Sequence, residues 1–330
     1  MKYSCKKGAK VLLGLFLAVA VLGGGCSGAP KKDAPLTELH VSYATRPLNV
    51  PSLVGLDQKL FENAFAADHI QVVWHELAGV ETVEALAAGS IDIATSLNYL
   101  SSMTSKAAGS NIKIIAGYSA FPQAIALVAA RESGIKSMSD LPGKKVALQQ
   151  GTMLHEMFIK GLAEEGLSVA GIEIIGLESP EALAALLGGQ IDATILPEPL
   201  LTRALASDKA VLIRTAEGLI SGQTVIAARE GFLEKNPAVA RKFLEVHQAC
   251  LEYAAAHEED VQALCAAALE MPLPAVRKLY PKITFSTQLD SAVLEEMKMS
   301  IEFLKTYGII EAKTETDVLL ANLLDLNYGP

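Results

Sequence analysis

Glu84–Ala94 reads EALAAGSIDIA, and Glu181–Ala193 reads EALAALLGGQIDA. Each copy is a run of small helix formers, a glycine stop, and an Ile-Asp pair that opens a strand. Ile91 and Ile191 stand one hundred residues apart. That period is too long for a solenoid and points to two similar lobes. In the first copy the strand continues into Thr95-Ser96-Leu97-Asn98, in the second into Leu196-Pro197-Glu198-Pro199. Loops at the carboxyl ends of strands in open α/β sheets are where ligands bind. Two such loops, one per lobe, are expected to face each other across a cleft.

The same alternation extends outward from both copies. Leu36–Tyr43, Ile70–Leu77, Ile91–Thr95 and Ile112–Gly117 read as strands. Helices over Ser52–Phe65, Glu81–Ala88 and Asn98–Ala108 separate them. A βαβαβαβ series implies a mostly parallel, doubly wound sheet. The pattern restarts at Lys145–Leu148, followed by a helix over Met153–Glu165, and ends with a strand at Thr224–Arg229 that can return to the first lobe. Beyond Asn236-Pro237 the chain reads as helical. Lobe two (126–229) is therefore inserted in lobe one (36–125 and 230–330). Crossings near Ala126 and Arg229 form a two-strand hinge, an arrangement suited to closure over a ligand.

The first 26 residues bear on compartment. Lys2, Lys6, Lys7 and Lys10 precede the apolar run Val11–Leu22, which is too short to span a bilayer and suits a signal-peptide core. Gly23-Gly24-Gly25-Cys26 and the polar stretch after it resemble a bacterial lipoprotein signal. Residues 1–25 are expected to be a leader, Cys26 the lipidated N-terminus and 26–35 a flexible tether. The formal net charge of −9 argues against nucleic acid as a partner. After the leader only Cys250 and Cys265 remain, either a bonded pair or two buried thiols.

The chain has no G-x-S-x-G, P-loop, H-E-x-x-H or nucleotide-binding glycine run. Its six histidines are scattered without ligand spacing. No catalytic residue, metal or cofactor is expected. The loops at strand ends are instead rich in small donors: Thr45-Arg46-Pro47-Leu48, Thr95-Ser96-Leu97-Asn98, Gln150-Gly151-Thr152-Met153 and Gly222-Gln223. Three of the four run into helix N-termini, where free N–H groups favour an anion. Each of Ser52, Ser96 and Thr152 could also be an ordinary helix cap. Arg46 is a candidate bidentate partner for a sulfonate or carboxylate, or else a solvated loop residue. Glu198, stiffened by two prolines, is a candidate for a ligand NH or a first-turn residue of its helix. Trp74 and Tyr118 could stack on a ligand or be core.

Val73-Trp74-His75-Glu76, Ala78-Gly79 and EALAAGSID together resemble the periplasmic substrate-binding proteins of ABC importers for aliphatic sulfonates, nitrate and taurine, with the NMT1/THI5-like thiamine-precursor receptors as relatives. Ser133–Gly151 (SGIKSMSDLPGKKVALQQG), EALAALLGGQIDATILPEP and Phe232–Leu244 (FLEKNPAVARKFL) carry the resemblance further, over roughly Leu36–Leu251. Pro197 stands where the family often has an aromatic before Glu-Pro. The resemblance implies a two-lobed type II periplasmic-binding-protein fold and a ligand in the interlobe cleft. It also implies a permease and an ATPase as partners. The expected protein is a monomeric, lipid-anchored, extracytoplasmic receptor for a sulfonate-like anion. The alternatives are a receptor for a thiamine-precursor pyrimidine, or a THI5-type enzyme on the same fold.

Overall fold

The computed structural model describes residues 35–329. The leader 1–25, Cys26 and nearly all of the tether lie outside them. The first sheet is built in order from β1 (Glu38–Tyr43), α1 (Val50–Asp57), α2 (Leu60–Ala66), β2 (Gln71–Glu76), α3 (Val80–Ala88), β3 (Ile93–Asn98), α4 (Tyr99–Ala107) and β4 (Ile112–Ala120). The chain then crosses as β5 (Ile125–Ala130). The second sheet follows with β6 (Lys145–Leu148), α5 (Met153–Glu164), β7 (Glu173–Gly176), α6 (Ser179–Leu187), β8 (Ala193–Pro197), α7 (Leu200–Leu205) and β9 (Ala210–Thr215). The return strand is β10 (Thr224–Arg229). After it come α8 (Glu230–Lys235), α9 (Pro237–Ala256), α10 (Glu258–Ala268), α11 (Leu273–Leu279), β11 (Thr284–Phe285), α12 (Ser291–Thr306) and α13 (Thr316–Leu323).

The sheet orders are β11-β4-β10-β3-β1-β2 and β7-β6-β8-β5-β9. With β11 set aside, both have the same plan. The first three strands pair in parallel in the order second, first, third, and an antiparallel strand then separates the third from the fourth. That antiparallel strand is borrowed: β5 follows the first series but pairs with β8 and β9, and β10 follows the second series but pairs with β3 and β4. Thr224–Arg229, the end of the stretch assigned to lobe two, thus hydrogen-bonds in the first sheet. The two lobes exchange one strand each, which ties them together through two crossings.

The doubled Ile-Asp pair explains how both sheets are held. Asp92 precedes β3, and its carboxylate accepts the N–H of His40 on the neighbouring β1 at 3.0 Å. Asp192 precedes β8, and its carboxylate accepts the N–H of Lys145 at the start of β6 at 2.7 Å. Each aspartate also gives its carbonyl to the end of the borrowed strand, Asp92 to Arg229 N–H at 3.1 Å and Asp192 to Ala130 N–H at 2.8 Å. The phrase therefore works at the amino ends of its strands, opposite the ligand-type loops. It carries the fold and leaves the loops free to vary.

The helix expected over Ser52–Phe65 is two helices. Lys59 takes a left-handed conformation (φ 51°) between α1 and α2, and Pro51 in the first turn of α1 sets its start two residues early. α9 buries Ala240, Phe243, Leu244, His247, Cys250 and Ala254, a stripe at helical spacing. It packs closely on α1. A Cβ on Gly55 would stand 2.6 Å from the Phe61 ring and 3.3 Å from Cys250 Sγ. Cys250 and Cys265 are free and buried, and burial pushes both thiols up to about 12. Because the thiolate is the reactive form, brief iodoacetamide treatment at pH 8 is expected to leave both unmodified in the native protein. Peptide mapping should find both alkylated once it is unfolded in urea.

The main apolar core does not stop at the first lobe. It continues through Met153, Leu154, Met157, Phe158 and Leu162 of α5. A smaller cluster, including Ala182, Leu183, Leu196, Leu201 and Ala204, lies where α6 and α7 pack on the second sheet.

Candidate functional site

Asn49 organises the loop after β1. Its side-chain amide donates to the carbonyls of Ala44 and, at 3.1 Å, Arg46, while its Oδ1 accepts from Ser96 Oγ at 2.8 Å. One side chain thus fixes the β1 loop against the β3 loop, where Ser96 is left-handed (φ 57°). Thr45 donates its hydroxyl to Glu76. Arg46 is exposed, Pro47 half-buried behind a cis bond, and Leu48 fully buried. Asn98 caps α4 by accepting the N–H of Leu100 at 2.8 Å.

Beneath these loops runs a buried hydroxyl chain. Thr95 donates to Ser42 O at 2.9 Å, and Ser52 Oγ bridges Thr95 Oγ1 (3.1 Å) and Tyr118 OH (2.8 Å). Tyr118 is 0% exposed and packs against the rings of His247 and Phe285. Burial drives its phenol far above the usual range. It supports the floor of the loops and offers no face to a ligand, because β4 lies between two strands and under α1 and α9. Trp74 is likewise committed. Its ring N–H donates to Glu62 at 2.8 Å, and its ring meets Tyr43 and Phe61 edge-on.

On the second lobe, Gln150 is exposed and Met153 buried. Thr152 caps α5, accepting Leu154 N–H at 3.2 Å and donating to Gln149 O at 2.7 Å. Gly151 takes φ 77°, and its N–H points to His155 Nδ1 at 3.3 Å. Gly222 is left-handed (φ 63°), and a Cβ there would meet Phe121 and Ile125 at 3.3–3.4 Å. Gln223 is buried and donates to Thr224 O at 2.6 Å.

Glu198 is buried and already satisfied. It accepts Thr202 N–H at 3.0 Å and pairs with Lys282 Nζ at 2.7 Å, a residue from the turn after α11. Around it lies a cavity of about 780 Å³ with walls from both lobes. Arg46 and Pro47 line one side, Pro197 to Arg203 another, and the segment from Leu269 to Ala275 a third. It joins Arg46, Pro47 and Glu198 of the sequence-predicted residues. Thr45, Leu48, Thr95, Ser96, Asn98, Tyr118, Gln150, Gly151, Thr152, Met153, Gly222 and Gln223 do not line it. Among the described residues, neither Arg46 nor Arg203 has an ion-pair partner, and no aromatic ring lines the cavity. Asn49, Arg203 and Lys282 were absent from the sequence expectation. Asn49 had a readable signal, a good N-cap before Val50-Pro51. Lys282 had none.

Comparison with known proteins places the chain. It is 25% identical over 268 residues to a protein designated aliphatic sulfonates-binding in Escherichia coli strain K12, covering 81% of each. It is 29% identical to the like-designated protein of Bacillus subtilis strain 168, covering 78% of this chain and 77% of that one. In fold it superimposes on the periplasmic aliphatic sulphonate binding protein from E. coli with TM-score 0.76 at 22% identity, over 85% of this chain and 91% of that one. The same fold occurs in a desulfurization enzyme, with TM-score 0.66 at 15% identity over 86% and 98%. The architecture is the two-lobed type II periplasmic-binding-protein fold. A family model described as NMT1/THI5 like matches residues 63–261, and the chain belongs to that family.

Proposed function

We propose that this chain is an extracytoplasmic receptor that binds a small organic anion of the sulfonate type between its lobes and delivers it to an ABC permease and ATPase. It works as a monomer, held to the outer face of a bacterial membrane by a lipid on Cys26. Lobe one comprises 36–124 and, with β10 counted in the sheet where it pairs, 224–330. Lobe two comprises 125–223. The observation that carries this reading is the interlobe cavity. Two guanidiniums without ion-pair partners, Arg46 and Arg203, stand among prolines and aliphatic side chains, and of the two carboxylates in the same lining, Glu198 and Glu270, the first is paired with Lys282. Such a lining suits an anionic head on an apolar body.

The pyrimidine reading needs a free Glu198 and a stacking ring. Glu198 is neutralised by Lys282, and the described cavity lining has no ring. The enzyme reading needs a reactive cluster, and the same lining offers no His, Cys or Ser.

Thermal unfolding against alkanesulfonates, taurine, nitrate and thiamine pyrimidines tests the reading. A ligand at one hundred times its Kd adds about 2.7 kcal/mol to stability. A sulfonate is expected to raise the melting temperature. Arg46→Ala should weaken that ligand about tenfold or more, the worth of one charged hydrogen bond of about 1.5–3 kcal/mol. Stabilisation by pyrimidines alone, or by no compound, would overturn the proposal.

A further inference from the structure

The lobes meet on two edges, and the edges differ in kind. One is the cavity edge, where Glu198 pairs with Lys282, itself partly exposed. The other is the seam where α5 of the second lobe meets α12 of the first. It has an apolar half: the His155 ring lies 5.2 Å from Phe303 and 4.9 Å from Tyr307, and Ile309 sits over Gly151. It also has a polar half that neither the fold nor the ligand-type loops account for.

The centre of that polar half is Glu156, 0% exposed. Its Oε1 accepts from Ser300 Oγ of α12 at 2.6 Å, and its Oε2 lies 3.2 Å from Tyr99 OH at the start of α4. Lys160 Nζ approaches Oε1 at 2.8 Å, as an ion pair whose angle falls outside hydrogen-bond geometry. Tyr99 OH is also 3.0 Å from Glu296 Oε1. Burial and the two carboxylates push its phenol well up, so it stays a donor. Glu296 in turn accepts the N–H of Ser221 at 2.8 and 3.1 Å and its hydroxyl at 3.1 Å. Ser221 immediately precedes Gly222, in the segment that leads back to lobe one through β10. The two carboxylates therefore share the one hydroxyl proton of Tyr99, while Ser300 donates to Glu156 and Ser221 to Glu296, and between them they grip α4, α5, α12 and the returning chain. Separating α5 from α12 would break the Ser300 and Tyr99 hydrogen bonds to Glu156, part the His155 ring from Phe303 and Tyr307, and leave Lys160 as the remaining partner of the carboxylate. Opening the cavity edge breaks a single pair, between the buried Glu198 and the partly exposed Lys282, and leaves Glu198 its hydrogen bond from the Thr202 N–H of its own lobe.

We propose that Glu156 and Glu296 are positioning residues that clamp the α5–α12 seam, so that the lobes pivot about this seam and part at the Arg46–Glu198 edge. The inference rests on the receptor reading only in supposing that the lobes move.

Hydrogen exchange on the purified, ligand-free protein tests it, with urea unfolding as the control for global stability. Amides of 153–164 and 297–304 are expected to exchange only with global unfolding, and those of 200–206 and 273–279 at least tenfold faster. Lys282→Met takes the ion-pair partner from the buried Glu198 and should lower the urea midpoint; beyond that change in global stability it should speed the second set further and leave the first unchanged. Glu156→Gln keeps the shape but loses the charge and one acceptor. It should accelerate the first set at least tenfold beyond any change in global stability. Ser300→Ala, which removes one donor and little volume, should do the same to a smaller degree if Glu156→Gln fails to fold. Equal protection of both edges in the native protein would overturn the proposal, as would a Lys282→Met variant that loosens the α5–α12 seam as much as the cavity edge. No ligand enters the measurement, so a flat ligand panel would defeat the receptor reading without touching the clamp.

Discussion

Replacing Asp92 with alanine is expected to cost about 3 kcal/mol of folding free energy, against about 1 kcal/mol for the equivalent change at Asp192. The two residues occupy matching places, yet their surroundings differ. Asp92 is buried, accepts the His40 N–H at 3.0 Å, and its other oxygen holds the Arg229 guanidinium. Arg229 also donates from Nε to Ile91 O at 3.0 Å, so the pair pins the end of β10 to the start of β3. Alanine would leave the part-buried His40 N–H without its acceptor and release the arginine. A hydrogen bond to a charged group is worth about 1.5–3 kcal/mol, and the partly exposed arginine adds a smaller amount because solvent screens it. Asp192 accepts a single N–H, from Lys145, and is only half-buried. Asp92→Asn keeps an acceptor for His40 and should recover about half the loss. Urea unfolding of the three variants checks the ranking. Equal losses at the two positions would show that the second lobe relies on its aspartate as heavily as the first.

The same pair of residues shows what could be read from the chain and what could not. Each copy of the repeated phrase, and each step in the alternation of strand and helix, is a local pattern visible within some twenty residues of sequence. They sufficed for the architecture. The end of the strand at which the repeated aspartate works is not local. It follows from which neighbour β3 pairs with, and only the fold settles that. The site shows the same division. Arg46, Pro47 and Glu198 were legible because a loop after a strand has a predictable place. Thr95 and Tyr118 look like donors in sequence, but tertiary packing turns them into a buried chain through Ser52. Lys282 neutralises Glu198 from 84 residues away, in a short turn with no pattern of its own. Nothing near Glu198 in sequence indicates that its charge is spoken for. Arg203 lies on the helix that Glu198 precedes, yet a lone arginine on a surface helix carries no signal until the opposite wall is in place.

The largest pH effect is expected at His247, under the same floor. Its ring lies in α9 against Tyr118, with centroids 5.2 Å apart, and Nε2 has no hydrogen-bond partner. Burial lowers its pKa from 6.5 to about 4. The folded state therefore holds the neutral ring, while the unfolded chain takes up a proton once the pH falls below about 6.5. The resulting stability is fully present above that pH and drains away as the pH falls toward 4, by about 3 kcal/mol in all. His247→Asn removes the titrating group. The variant should be less stable than the parent at pH 7, because it leaves a gap beside Tyr118, and the difference should shrink by about 3 kcal/mol at pH 4. Urea unfolding at the two pH values measures this directly, and a difference that stays constant would mean the ring is not the acid-sensitive element. The consequence reaches the site. Tyr118 links His247 to Ser52 and Thr95, whose hydroxyls underlie the β1 and β3 loops. A proton forced onto His247 would strain the contact that keeps this chain in place. Acid should then loosen the loop that carries Arg46 before it unfolds the protein, and anion affinity should fall at a higher pH than the unfolding midpoint does.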